Sequence, residues 1–343
     1  MSKKIAPKKI RLEASSVCQL RCHSCPNASK AILPTVGSGF LRLSSFQKLL
    51  DENPRIAEIE LSNYGEIFLN SDLLGIIKYA YERKVVLTAR TGVNLNNVKS
   101  DVLEGLVKYK FRNMTVSIDG TSNETYKRYR IRGNYDVVIG NIKKLNLFKK
   151  QYQSKYPLLS WQFIVFGYNE HELPSARKLA NELNMNFHSK LSWDSEFSPV
   201  QNREVIREEL GAVSRSEYKK KYGVDYMQGI CHQLWEQPQI NWDGKVLGCC
   251  RNFWGDFGGN VFTDGLFESL NNQKINYARD MLIGRTLARD DIPCATCEIY
   301  LDMKREGKWL KRSIKRRLIS SIPSVFKRIL KGYNKYRLSK RCT

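Results

Sequence analysis

The feature that most constrains this fold is a repeated alternation: short β-prone runs separated by stretches with helical periodicity. The runs fall at residues 9–14, 56–62, 85–89, 114–118 and 161–166, and the helical stretches at 72–83, 97–109, 135–150 and 173–183. Pro174 stands in the first turn of the last helix, where a missing N–H is no loss. A helix between two strands carries the chain back to the edge it left, so successive strands run parallel. Six such units curve into an open barrel; a flat doubly wound sheet is the alternative. The expected class is therefore α/β, with a partial (β/α)6 TIM-like barrel over residues 9–222. Polar, charged sequence at 194–222 loosens the pattern and marks a boundary. Beyond it we expect a small β-hairpin/helix domain over 223–303, its hairpin turned at Asn241-Trp242-Asp243-Gly244. A basic amphipathic tail over 304–343 completes the chain.

At 343 residues and 42% apolar content the chain can bury a large core, which excludes wholesale disorder. No stretch reaches the roughly 18–20 continuous apolar residues of a membrane-spanning helix. The start, Met1 to Lys9, has no apolar segment of the kind that directs secretion. Nine cysteines therefore read as metal ligands in a reducing, cytoplasmic compartment rather than as a disulfide framework.

Three of them, Cys18, Cys22 and Cys25, follow the first β run. Thiolates at spacings of four and three wrap one corner of a cubic iron–sulfur cluster only from an irregular loop, which suits a position just past a strand. Three ligands to four irons leave one iron open to a chelating small molecule. A structural zinc with a fourth ligand such as His23 is the alternative, although zinc sites favour cysteine pairs separated by two residues.

With this loop the chain resembles the radical S-adenosylmethionine enzymes, whose Cys-x3-Cys-x2-Cys motif corresponds to Cys18, Cys22 and Cys25. The resemblance implies a 4Fe-4S cluster whose open iron is chelated by S-adenosyl-L-methionine, and electron transfer that yields a 5'-deoxyadenosyl radical. It also implies a cellular reductant such as flavodoxin or ferredoxin. Asn63-Tyr64-Gly65-Glu66 matches the family's glycine-rich motif, with Ile67 in place of the customary proline, and so implies that Tyr64, Gly65 and Glu66 meet the cofactor's amino group. Arg90-Thr91-Gly92 stands where Thr-Asn-Gly is common, and Ser117-Ile118-Asp119-Gly120 matches a Ser-x-Asp-Gly segment. Thr91, Ser117 and Asp119 are expected at the cofactor by the same resemblance, and Arg130 at its carboxylate or at the substrate. Ser24 replaces the usual aromatic before the last cysteine, so adenine stacking is expected from elsewhere.

Cys231, Cys249, Cys294 and Cys297 supply four more thiolates, enough to close a second cubane with no open iron. Their spacing about Gly244 and the final Cys-x2-Cys resemble the shortened auxiliary-cluster domain called twitch, related to the longer SPASM extension. An auxiliary 4Fe-4S cluster is implied; structural zinc on the same thiolates is the alternative. If the strand before Cys249 continues, Cys250 points the other way. It is then a candidate catalytic hydrogen-atom donor, or a buried packing residue.

A substrate radical that loses an electron to the auxiliary cluster is dehydrogenated; one that takes hydrogen from a thiol on its opposite face is epimerised. Radical-domain features begin by about residue 9, which leaves no obvious leader-peptide-binding segment. The expected substrate is carbohydrate-like: an amino sugar, a cyclitol or a cell-surface glycan precursor. A ribosomally made peptide is the runner-up, and a noncatalytic iron–sulfur protein the reading from a different class. Trp193, Trp235, Trp242 and Trp254 are candidates to stack on sugar faces, although packing is the commoner fate of tryptophan. Residues 304–343 hold fifteen Lys or Arg against one Glu, so the tail carries a net +14 of the chain's +23. Interleaved apolar residues suit an anionic membrane surface, peripheral at its inner face. Nucleic acid is a less favoured partner, and a merely solvated tail is the bland reading.

Overall fold

The computed structural model describes residues 4–311. β1 (Lys9–Leu12) runs into the cysteine loop, and the chain continues through α1 (Leu43–Glu52), β2 (Glu58–Glu60), α2 (Leu73–Glu82), β3 (Val86–Val93) and α3 (Ser100–Lys108). Then come β4 (Asn113–Ser117), α4 (Asn123–Tyr129), α5 (Tyr135–Gln151), β5 (Leu158–Val165), α6 (Leu173–Glu182) and β6 (Met185–Leu191). β1 to β6 pair with one another in sequence order, every pair parallel. This is the open six-unit barrel that the alternation predicts, with β6 at one free edge of the sheet.

Period-two burial sorts the strand residues. On β5, Leu159, Trp161, Phe163 and Val165 are buried in the main apolar core, and Trp161 Nε1 donates to the Ile118 carbonyl at 2.7 Å. Polar residues elsewhere on the strands bond across them. Lys9 and Arg90 both pair with Glu58, at 2.9 and 2.7 Å. Glu60 accepts from Thr88 Oγ1 at 2.6 Å and from the Arg90 N–H at 2.7 Å, while Arg11 donates to Gln239 and to the Ser62 carbonyl. Burying so many charges is tolerable only because each is answered inside this network.

β6 and α1 are elements that the alternation does not reveal. On β6 only the terminal Met185 and Leu191 are buried, so its apolar signal is weak. α1 carries its buried apolar residues at Phe46, Leu49 and Leu50, a helical spacing that is open to reading. Residues 194–222, expected as a loosened boundary, contain α7 (Arg203–Leu210) and α8 (Arg215–Tyr222). α7 buries Ile206 and packs Leu210, four residues on, against the core, a short helical spacing, whereas α8 buries nothing and hydrophobic periodicity is silent there. The capping chemistry is not: Asn202 and Ser214 accept from the first turns, and Gly211 and Gly223 close the helices at φ of 81° and 66°.

The C-terminal part comprises α9 (Gln233–Glu236), β7 (Gln239–Ile240), β8 (Val246–Gly248), α10 (Leu266–Ser269), α11 (Gln273–Leu282) and α12 (Glu298–Glu306). β7 and β8 form the expected antiparallel hairpin, with Gly244 in its turn at φ 93°. The hairpin does not make a sheet of its own. β7 lies parallel to β1, with Arg11 opposite Gln239 and Leu12 opposite Ile240, so the barrel sheet continues into the cysteine-rich part. Arg279 is fully buried and donates twice to the Leu234 carbonyl, tying α11 to α9. Leu310 folds back through its N–H to the Leu282 carbonyl. The rest of the expected membrane-binding tail, residues 312–343 with Cys342, lies outside the described residues. Among the described residues no helix is long and apolar enough to cross a membrane.

Candidate functional site

The cysteine loop leaves the C-terminal end of β1, the end at which parallel barrels place their chemistry. Asn27 pins it by donating to the carbonyls of Ser16 and Tyr64, at 2.7 and 2.8 Å. Cys18, Cys22 and Cys25 are free thiols. They gather on one apolar patch made by Leu20, Tyr129, Ile164 and Phe166. Burial, followed by the Glu66 carboxylate, pushes the Cys18 thiol up to about 12. Burial also raises Cys22, against the opposing pull of Arg130. Thiols so reluctant to ionise alone need a cationic centre to become thiolates, which is what a cluster supplies. The flat surface missing at Ser24 exists nearby. Tyr129 and Phe166 lie 4.7 Å apart, Tyr168 stacks on Phe166, and Phe197 meets Phe166 edge-on. Ser24 Oγ sits 3.2 Å from the Tyr129 hydroxyl, and the Tyr168 hydroxyl is buried without a partner among the described residues.

The glycine-rich motif packs directly on this loop. Glu13, fully buried one residue beyond β1, accepts from the N–H groups of Tyr64 and Gly65 at 3.0 and 3.2 Å. Burial holds its carboxyl up at about 8 despite these bonds. Glu66 is buried as well and accepts from the N–H groups of Asn94 and Phe68 at 2.6 and 3.2 Å. Glycine at 65 is a steric requirement: a Cβ there would lie 2.1 Å from the Ser15 carbonyl oxygen. Gly65→Ala should therefore cost about 1–3 kcal/mol of stability, as overpacking against backbone does. Urea unfolding of the two proteins measures it, and an unchanged midpoint would contradict the contact.

The remaining predicted residues divide by what they touch. Asp119 is fully buried and accepts from Arg130 Nε at 2.6 Å and from the Ile164 N–H at 2.7 Å. Arg130 also donates through Nη1 to Cys22 Sγ at 3.5 Å. The two thus form a buried pair that orients a cysteine of the triad. Ser117 accepts from Gln162 Nε2 at 3.3 Å at the end of β4. Thr91 is occupied by Arg11, which donates to its hydroxyl.

Cys231, Cys249, Cys294 and Cys297 line one cavity whose other walls include Leu234, Trp254, Phe257 and Tyr300. Short 3-10 turns at Gln228–His232 and Pro293–Thr296 carry Cys231 and Cys294. Burial, then the neighbouring thiols, drives Cys231 and Cys294 well above the ordinary range. Among the described residues no three His, Cys, Asp or Glu side chains converge on a single metal ion; these thiols surround a space. β8 ends at Gly248, so Cys249 and Cys250 diverge in a turn rather than along a strand. Gln233 holds Cys250 at both ends: its Oε1 accepts the Cys250 N–H at 2.8 Å and its Nε2 donates to Sγ at 3.4 Å.

Residues 231–298 match the family model of SPASM, an iron–sulfur cluster-binding domain. Among solved structures, SuiB of Streptococcus suis bound to S-adenosylmethionine aligns over 90% of this chain and 76% of its own, with a TM-score of 0.60 at 13% identity. SuiB bound to the precursor peptide SuiA aligns over 86% and 70%, with a TM-score of 0.59 at 14% identity. Native anSMEcpe with bound AdoMet aligns over 84% and 86%, with a TM-score of 0.54 at 14% identity. A search of curated proteins finds no match. The chain has the fold of these S-adenosylmethionine-bound proteins, and its residues 231–298 match a SPASM domain.

Several residues at the site escape the sequence reading. Glu13, Gln162 and Lys190 lie on or just past strands, and parity along β5 and β6 is the available signal for the last two. Tyr129, Tyr168 and Phe197 carry no motif, and only the folded chain brings them to Phe166. The four candidate tryptophans separate cleanly. Trp235 is buried, Trp242 donates to the Val36 carbonyl, and Trp254 donates to the Pro293 carbonyl beside the SPASM cavity. Trp193, just past β6, is 48% exposed.

Proposed function

We propose that Cys18, Cys22 and Cys25 hold a 4Fe-4S cluster that binds S-adenosyl-L-methionine, and that Cys231, Cys249, Cys294 and Cys297 hold an auxiliary 4Fe-4S cluster. The enzyme removes a hydrogen atom from a carbohydrate-like substrate, for epimerisation or dehydrogenation. One observation carries this reading: the two cysteine sets are stapled to each other. Asn63 Nδ2 donates to the Cys250 carbonyl at 3.2 Å and the Tyr64 hydroxyl to the Asn252 carbonyl at 2.7 Å, so the glycine-rich motif holds the turn that bears Cys249 and Cys250.

When bound, the cluster and cofactor supply a carbon-centred oxidant strong enough for unactivated C–H bonds. The protein's part is placement. Glu13 fixes the Tyr64 and Gly65 amides, leaving the motif's outer edge for the cofactor's amino group. Arg130 orients Cys22 by donating to its sulfur. Tyr129, Phe166, Tyr168 and Phe197 offer an aromatic wall for adenine in place of Ser24. Gln233 keeps Cys250 positioned as a hydrogen-atom donor to the substrate radical, and the thiyl left on Cys250 would return to the thiol by taking one electron from the cellular reductant and one proton from solvent. The polar groups Ser117, Gln162 and Lys190 favour a substrate rich in hydroxyls. A peptide substrate is the second reading, favoured by the likeness to SuiB, a protein seen with a precursor peptide.

The deciding assay is turnover of candidate sugars in heavy water under anaerobic reduction. Epimerisation through Cys250 places solvent deuterium at the inverted carbon, and Cys250→Ala then loses inversion while it still cleaves S-adenosylmethionine. An oxidised product formed equally well by Cys250→Ala assigns dehydrogenation. Failure of the reconstituted wild type to cleave S-adenosylmethionine at all would overturn the enzymatic reading.

A further inference from the structure

Two basic side chains at the C-terminal mouth of the barrel make their hydrogen bonds, among the described residues, to neutral oxygens. Lys190, next to last in β6, gives Nζ to Gln162 Oε1 at 3.0 Å, and Gln162 in turn bonds Ser117. Arg215, the first residue of α8, gives Nε and Nη2 to the carbonyl of Leu191, one residue along from Lys190. Its Nη1 is buried with no hydrogen-bond partner among the described residues.

A third cation completes the group. The guanidinium of Arg215 lies 3.7 Å from the centre of the Trp193 ring and that of Arg251 lies 5.3 Å from the same ring. Arg251 directly follows Cys250 and pairs with Glu298, which is largely exposed. No carboxylate pairs directly with either side chain among the described residues: Asp119 is held by Arg130, and Asp225, which accepts the Met227 N–H, acts on Arg215 only through space, as Asp119 does on Lys190. Cations placed together with an orphaned donor are unfavourable unless an anion joins them. The effect is visible on the groups themselves. Burial, then Arg215, draws Lys190 down to about 8, and burial draws Arg215 down to about 10.

We propose that Lys190 and Arg215 form a subsite for an oxyanion, phosphate or carboxylate, carried by the substrate, with Trp193 as the wall of that subsite. The assignment rests on the reading of this mouth as the substrate site, and it narrows the substrate class to anionic sugars. It also sets direction. An anion anchored beyond β6 leaves the rest of the molecule to extend past Gln162 and Ser117, between the cysteine triad and Cys250.

The test uses cluster-loaded, full-length protein with S-adenosylmethionine present and no reductant. Calorimetry compares glucose 1-phosphate, glucuronate and glucose, which separate phosphate, carboxylate and neutral ligands on one ring. At least one charged sugar should bind about tenfold or more tightly than glucose, as charge-assisted bonds to two cations imply. Which one wins identifies the source of the oxyanion. Lys190→Gln and Arg215→Gln should each remove the preference, whereas Arg215→Lys, which keeps the charge, should retain much of it. Lys190→Gln guards against loss of the Leu191 contact in the arginine variant. Equal affinity for all three sugars in the wild type, or a preference that survives in both glutamine variants, overturns the proposal. Iron content and S-adenosylmethionine cleavage are measured on the same wild-type preparation, so a failed subsite and a failed radical assignment give different results.

Discussion

Anaerobically reconstituted Cys22→Ala should hold about four irons per chain where the wild type holds about eight, and should lose reductive cleavage of S-adenosylmethionine. Cys22 is the buried member of the triad, at 7% exposure, and its sulfur accepts from Arg130. Alanine there removes one of the three proposed ligands, and the nearby His23 is engaged elsewhere, its ring 4.2 Å from that of Phe197 and its Nδ1 3.6 Å from Asp194. Cys294→Ala provides the contrasting arm. It should also lose about half the iron, yet retain cleavage of S-adenosylmethionine, because Cys294 belongs to the cavity shared with Cys231, Cys249 and Cys297. Iron and sulfide analysis beside a 5'-deoxyadenosine assay reads both. Iron near four with one zinc in the wild type would refute the second cubane.

Asp119→Ala should destabilise the protein by about 3–5 kcal/mol, the cost of leaving a buried charge without its partner. The Asp119 side chain is fully buried, and Arg130 has its guanidinium against that carboxylate and the Cys22 sulfur. Removing the carboxylate also orphans the Ile164 N–H. Asp119→Asn keeps an acceptor for one of these donors and should lose less. Urea unfolding of the metal-free proteins isolates this effect from cluster loading. A loss under about 1 kcal/mol would mean that the pair is far better solvated than its burial indicates.

Much of the architecture is readable because it rests on local rules. Parallel strands follow from helices between short apolar runs, and the turn at Gly244 follows from its tetrapeptide. β6 and α8 are not readable from periodicity, since each exposes most of its surface and so lacks the apolar stripe that marks an element, and α7 offers only the short pair Ile206 and Leu210. The caps of α7 and α8 carry the information instead. The cysteine sets stand out for a different reason: their spacing is a local pattern, so the triad is visible in the sequence without knowing where the loop lies, and its role as a ligand set is a proposal.

Arg130 shows where that reasoning stops. Its place in the chain puts it near the site, but does not say that a fully buried Asp119 and Cys22 take its donors. Cys250 is similar. Strand alternation places it opposite Cys249, whereas the strand ends first and Gln233 does the positioning.

By itself the sequence determined the α/β alternation, the two thiol sets and the motif segments around them, because each depends on residues close together in the chain. Tertiary structure alone decided that β7 joins β1, that Asn63 and Tyr64 tie the glycine-rich motif to the turn bearing Cys249 and Cys250, and that Arg215 reaches both the Leu191 carbonyl and the Trp193 ring. Those relations are contacts between segments distant along the chain, set by how the sheet curves and which faces must be buried, and no spacing in a linear sequence encodes them.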